Sequence, residues 1–165
     1  MDNVVRNLEE LGVNLQKIVT RLQSNQTLLK LLYYTDKNPY AGADLTETQI
    51  KNEVFEKLIK IVPRVGPKET AKSIVSMRVV SGDVSRENDQ FRNIQLGIEV
   101  FVPLTQWIIK DSNLRPFAIM GEIQKSLNHK VINGLGKISG GDFSLNFLTD
   151  EISCYEMSFN IIQYD

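Results

Sequence analysis

His129 is the only histidine in the chain and Cys154 the only cysteine, so the usual catalytic side chains are scarce from the start. A Ser-His-Asp or Cys-His arrangement would need His129 as its base. It stands in Asn128-His129-Lys130, near the end of a polar helix, where a solvated side chain is favourable at the C-terminus. Zinc sites usually draw on several Cys or His ligands, and this chain offers two such residues in all. Cys154 falls in a segment of alternating apolar residues, as a small buried or boundary thiol does. One thiol cannot form an internal disulfide, so nothing points to an oxidising compartment.

Three further patterns resemble chemistry and fall short of it. The glycines of Gly134-Leu135-Gly136-Lys137-Ile138-Ser139-Gly140-Gly141 invite a phosphate-loop reading. That loop needs Gly, four residues, then Gly-Lys-Ser/Thr. Here Ile138 follows Gly136-Lys137, Val131 stands where the first Gly should be, and the order is helix then strand. Asp36-Lys37-Asn38-Pro39-Tyr40-Ala41 has a slight likeness to a calcium loop, but Tyr40 cannot supply the third ligand and Ala41 replaces the needed Gly. The acidic residues are scattered, and no Glu-Xaa-Lys triplet of the nuclease kind occurs. Carboxylates paired across a sheet are invisible in sequence, and nothing proposes them. The expectation is a protein that is not an enzyme and takes no metal and no cofactor.

Composition sets the class. The chain has 165 residues, 42% hydrophobic and 24% charged, enough for one domain with a real core. Its net charge of -1 comes from 19 basic and 20 acidic side chains, against a dedicated nucleic-acid binder. Met1-Asp2-Asn3 lacks a basic region followed by an apolar run, and no stretch approaches the roughly 20 apolar residues of a membrane span. Folding in a cytoplasm is the expectation.

The elements that would position any site read as follows. Val4, Leu8, Leu11, Leu15, Ile18 and Leu22 form one helical stripe. Ser24 or Asn25 can cap a short helix through Leu28–Tyr34. Thr35–Asp44 is loop chemistry. Thr46, Glu47 and Gln49 open a third helix to about Lys60, with Val54, Phe55, Leu58 and Ile61 as its buried stripe. Pro63, Gly66 and Pro67 break the helical pattern. After Thr70 the period becomes two. Val75, Met77 and Val79 alternate, Gly82–Gln90 is a polar hairpin tip, and Ile94, Leu96, Ile98, Val100 and Val102 put five apolar residues on one face. Pro103 ends that strand. Asp111 or Asn113 caps a helix with Pro116 in its first turn and Phe117, Met120, Ile123 and Leu127 as its stripe. Phe143, Leu145 and Phe147 alternate in a fourth strand segment, and Tyr155, Met157, Phe159 and Ile161 in a last one.

The fold expected is α+β in one domain, 1–165. Helices fill 1–62, and 70–165 forms an antiparallel sheet of about four strands, hairpin–helix–hairpin, with helices on one face.

Surface for association remains. The hairpin tip carries Asp83, Arg86, Glu87, Asp89 and Arg92, mixed in sign. It is either a solvated turn or an arm whose charges orient a neighbouring subunit. Glu99 lies on the strand face opposite the core. Tyr40, with Tyr33 and Tyr34, stands by the Asp36–Asp44 loop, and aromatics beside loops are enriched at interfaces.

The segment Leu96-Gly97-Ile98-Glu99-Val100-Phe101-Val102-Pro103 resembles the central strand of bacteriophage tail terminator proteins. There, such a strand follows a charged hairpin, and a helix and a closing strand hairpin come next. Here the closing piece is Cys154-Tyr155-Glu156-Met157-Ser158-Phe159-Asn160-Ile161-Ile162. Order and spacing match over roughly Ser73–Tyr164, while the helices before Pro63 are more extensive than the family's. The resemblance implies a homo-oligomeric, typically hexameric ring at the head-proximal end of the virion tail, assembled in the host cytoplasm. Such a ring stops growth of the tail tube protein and offers a docking surface to the head-completion or neck protein. DNA would only pass through its lumen, and no membrane is involved. The alternatives are another neck or head-completion protein and, from a different class, a small non-catalytic α+β module binding a peptide or ligand.

Overall fold

The computed structural model describes residues 8–61, 71–84 and 91–162. Helix α1 (Leu8–Gln23) buries Leu11, Leu15, Ile18 and Leu22, the predicted stripe, with Val19 beside them; Val4 lies outside the described residues. Asn25 caps α2 (Gln26–Tyr33), its side chain accepting the Leu28 N–H at 3.0 Å. Leu28, Leu29, Leu31 and Leu32 of α2 are all buried.

Thr46 opens a helical turn through a reciprocal capping box with Gln49, but the predicted helix to about Lys60 does not form. Only α3 (Glu47–Gln49) is α-helical, and it passes into a π turn over Ile50–Val54. Glu56 takes a φ of 59°, and strand β1 (Ile59–Lys60) joins the sheet. The stripe Val54–Leu58–Ile61 has helical spacing, yet an open sheet edge offered backbone partners, and Val75 N–H donates to the Leu58 carbonyl at 2.8 Å. Tertiary pairing overrode local propensity. The helical first part thus contributes a strand.

The remaining strands are β2 (Ile74–Val84), β3 (Phe91–Pro103), β4 (Ile108–Ile109), β5 (Asn113–Leu114), β6 (Val131–Ile132), β7 (Gly136–Leu148) and β8 (Ile152–Ile162). One six-stranded sheet has the order β1-β2-β3-β8-β7-β6, and β4 and β5 pair separately. The four long strands are the expected two hairpins. The added β1 and β6 are two residues each, too short to carry an alternation signal. Among the described strands only β1 pairs in parallel.

Strand β3 is central, with Ile98 opposite both Met77 and Met157. Its Ile94, Leu96, Ile98, Val100 and Val102 are buried under the helices. Helix α4 (Arg115–Leu127) packs against α1, α2 and β3. Pro116 lies in its first turn as expected, but neither Asp111 nor Asn113 caps it. Leu114 precedes the helix without a side-chain cap. Asp111 instead takes a φ of 63° in the turn between β4 and β5, and Asn113 accepts the adjacent Leu114 N–H. Met120, Ile123 and Leu127 are buried, whereas Phe117 is not.

Candidate assembly surface

The long strand β7 leaves much of its outer edge open. It pairs with β6 at Gly136 and Lys137, and Ile138 and Gly140 bond Lys130, His129 and Asn128, so that side has no neighbour among the described residues from Gly141 to Leu148. On the far side of the sheet, β2 meets β1 at Val75 and Ser76. Unpaired N–H and C=O groups along an edge such as that of β7 are templates for another chain.

Large apolar side chains gather along β7. Phe143 is 56% exposed, Leu145 51% and Leu148 60%; Ile108 of β4 is 59% exposed and Phe117 of α4 39%. Rings connect them: Phe117 lies 5.9 Å from Phe143 and 5.4 Å from Tyr155, and Tyr155 lies 6.3 Å from Trp107. Leu104, Trp107, Ile108, Leu145, Leu148 and Tyr155, with Lys37 and Thr105, line a groove of about 630 Å³. The helices cover the centre of the sheet, so β7 extends past them. The sequence disclosed the alternation of Phe143, Leu145 and Phe147, but not the bulge between Leu145 and Phe147. That extra residue turns Phe147 to the opposite face, against Phe101 at 5.8 Å.

The predicted contact residues are not brought together. Asp83 is exposed on β2, opposite Asn93. Arg86, Glu87 and Asp89 lie outside the described residues; Arg92 belongs to β3, its side chain likewise outside them. Tyr40 is exposed on a one-turn segment, Pro39–Ala41. Burial, then the nearby Glu122 charge, raises its pKa.

Glu99 does lie opposite the helices, but it is buried and engaged within the chain. Arg78 bridges Glu99 and its cross-strand partner Glu156, at 2.8 Å from the latter. Asn146, the bulge residue, donates to Glu99 at 3.0 Å. Burial works against the Arg78 charge, yet Glu99 and Glu156 outweigh it and hold its pKa above the usual value. The two carboxylates face each other across adjacent strands, and Arg78 offsets their repulsion.

The candidate chemical residues occupy structural places. Cys154 is buried beside this network; burial first, then the Glu99 charge, pushes its thiol up to about 12. His129 is exposed just beyond α4. Gly140 and Gly141 build the first bulge of β7 with φ of 128° and 106°, and a Cβ at Gly140 would run into the Ser158 carbonyl. The glycines therefore shape a strand. Among the described residues no group of three His, Cys, Asp or Glu side chains is placed to hold a metal ion, and no helix is long and apolar enough to cross a membrane.

A search of curated proteins found no match. The model of one family, YomW, matches residues 25–161, from the cap of α2 to the end of β8. That family is linked to Bacillus phages of the SPbeta type, in keeping with the phage setting that the resemblance implies. With most of its length matched, the chain belongs to the YomW family, a phage-derived family.

Proposed function

We propose that this chain is a structural, non-catalytic virion protein of the tail terminator kind. Copies of it close into a ring at the head-proximal end of the tail. The ring caps the tube and receives the neck or head-completion protein, and DNA passes through its lumen. The observation that carries this reading is the apolar surface of Phe117, Phe143, Leu145, Leu148 and Ile108, exposed along an open sheet edge outside the core. The largest apolar patch on a protein surface is often a functional one. The phage-derived family supplies the setting.

Electron microscopy of phage assembled without this protein tests the proposal. Tail tubes of uncontrolled length that do not join heads are expected. Tubes of normal, fixed length that still join heads would overturn it. Normal-length tubes left without heads would instead indicate a neck protein of the same assembly.

The groove beside Trp107 and Tyr155 supports a second reading, a module that binds an extended peptide. An apolar groove flanked by a free strand edge suits strand addition. A monomeric chain that retains a linear peptide from a library would favour that reading.

A further inference from the structure

We propose that Asn133 is a site of self-modification. The Gly134 amide nitrogen attacks the Asn133 side-chain carbonyl carbon, ammonia leaves, and water opens the succinimide to aspartate or isoaspartate, with Lys17 as the assisting group. This chemistry is independent of the ring reading above.

Residue type is the first support. Asn133 is the only asparagine followed by glycine in the chain. Ring closure brings the nitrogen of the following residue onto Cγ, and a side chain on that residue would crowd the approach. Glycine has none. The fold also requires glycine at this place. Gly134 takes a φ of 85°, and a Cβ there would lie 2.7 Å from Asn14 Oδ1. The turn itself therefore keeps the reactive pair together.

Geometry is the second. Asn133, Gly134 and Leu135 connect β6 to β7. The Leu135 N–H donates to the Ile132 carbonyl at 2.9 Å, and with the positive φ at Gly134 this is the type II pattern. That closing bond uses neither polar group of the central peptide, the one between Asn133 and Gly134. Among the described residues the Gly134 N–H has no acceptor, and the exposed Asn133 side-chain amide has no hydrogen bond to hold it away. Nucleophile and electrophile are both available.

Charge is the third. Helix α1 reaches both carbonyls at this point: Asn14 Nδ2 donates to that of Gly134 at 3.2 Å and Lys17 Nζ to that of Asn133 at 2.8 Å. The attacking nitrogen belongs to the same peptide unit as the Asn133 carbonyl. As that nitrogen gives its proton to hydroxide, negative charge develops on the carbonyl oxygen, where the ammonium stabilises it as an oxyanion donor does. The nitrogen's electron pair then forms the bond to Cγ. The Cγ–Nδ2 bond breaks, and Nδ2 takes a proton from water and departs as ammonia. Nothing is oxidised or reduced. Water opening one ring carbonyl leaves aspartate. Opening the other routes the main chain through the former side chain and lengthens it by one carbon. Ile132 and Leu135, on either side of the pair, are buried, so the isoaspartyl product strains the turn and should unfold at lower urea.

Ageing the full-length protein at pH 8 tests the site. Trypsin cleavage after Lys130 and Lys137 releases 131–137, in which Asn133 carries the one side-chain amide. Mass spectrometry should find NH2 replaced by OH there sooner than in any other asparagine peptide, with isoaspartate among the products and a rate that rises with pH. Lys17→Met, a change at an exposed position, should slow conversion roughly two- to fivefold, the range of an exposed charge contact. Lys17→Arg should restore most of the rate, and circular dichroism would verify folding of both variants. In urea, where the contact is lost, the native chain and Lys17→Met should convert equally. An Asn133 amide that lasts as long as the other asparagines would overturn the proposal. Equal rates for the native chain and Lys17→Met in buffer, or a difference that persists in urea, would overturn the part given to Lys17.

Discussion

Arg115 is fully buried and has no counter-ion at hydrogen-bond distance among the described residues. Its guanidinium donates to four backbone carbonyls: Leu31 at 2.6 Å, Tyr34 at 2.8 Å, Asp36 at 2.6 Å and Gln106 at 2.9 Å. Burial lowers its pKa, partly offset by Asp36 and Tyr40. Two of these carbonyls belong to the end of α2, where backbone acceptors lack helical partners and a positive charge is favoured. Arg115 thereby ties α2 and the following loop to α4. Replacing Arg115 by Met should cost about 3 kcal/mol or more in urea unfolding, because buried acceptors lose their donors. Arg115→Lys should also destabilise, since an ammonium cannot span the same fork; a midpoint unchanged in both variants would remove this role. Nothing in the sequence marked this residue, because an Arg before a Pro at a helix start reads as surface. Cys154 was legible as a buried thiol. With its pKa raised to about 12, the thiolate is scarce at all lower pH values, so at pH 8 labelling by a disulfide reagent should be far slower in the native protein than in urea. Equal rates would show an accessible thiol.

At the level of elements, period-two patterning located the four long strands because a pleat sets alternate side chains on opposite faces. Strand β3 is the clearest case: its five alternating apolar residues all lie in the core. Ile98→Ala should therefore cost about 2–5 kcal/mol. Leu145→Ser, in an equally regular stretch of β7, should stay within about 0.5 kcal/mol. Denaturant titrations of the two variants check the contrast, and comparable losses would mean that β7 is covered within the monomer. The sequence pattern did not separate these strands, because alternation reports a pleat and not what lies above it. The turn at Glu56 and the strand β1 were hidden for a related reason. Val54, Leu58 and Ile61 have helical spacing, and only the sheet edge at Val75 redirects the chain. The bulge at Asn146 was equally invisible, although it sends Phe147 to Phe101 and Asn146 to Glu99.

For the whole molecule, the α+β layering and its order of hairpin, helix and hairpin followed from the sequence. The candidate contact surface did not. The charged tip drew notice because its charges stand out in sequence. The structure turns attention to the hydrophobic edge of β7, which no motif marks, and leaves Glu99 engaged with Arg78 inside the chain. The near-neutral net charge of -1 fits the proposed ring, since a lumen that lets DNA slide need not grip it. Tail length in phage lacking this protein is the most direct measurement. The terminator reading predicts a broad distribution extending well beyond the native length, narrowed again when the native chain is supplied. A distribution as narrow as the native one, on tails that carry heads, would contradict it.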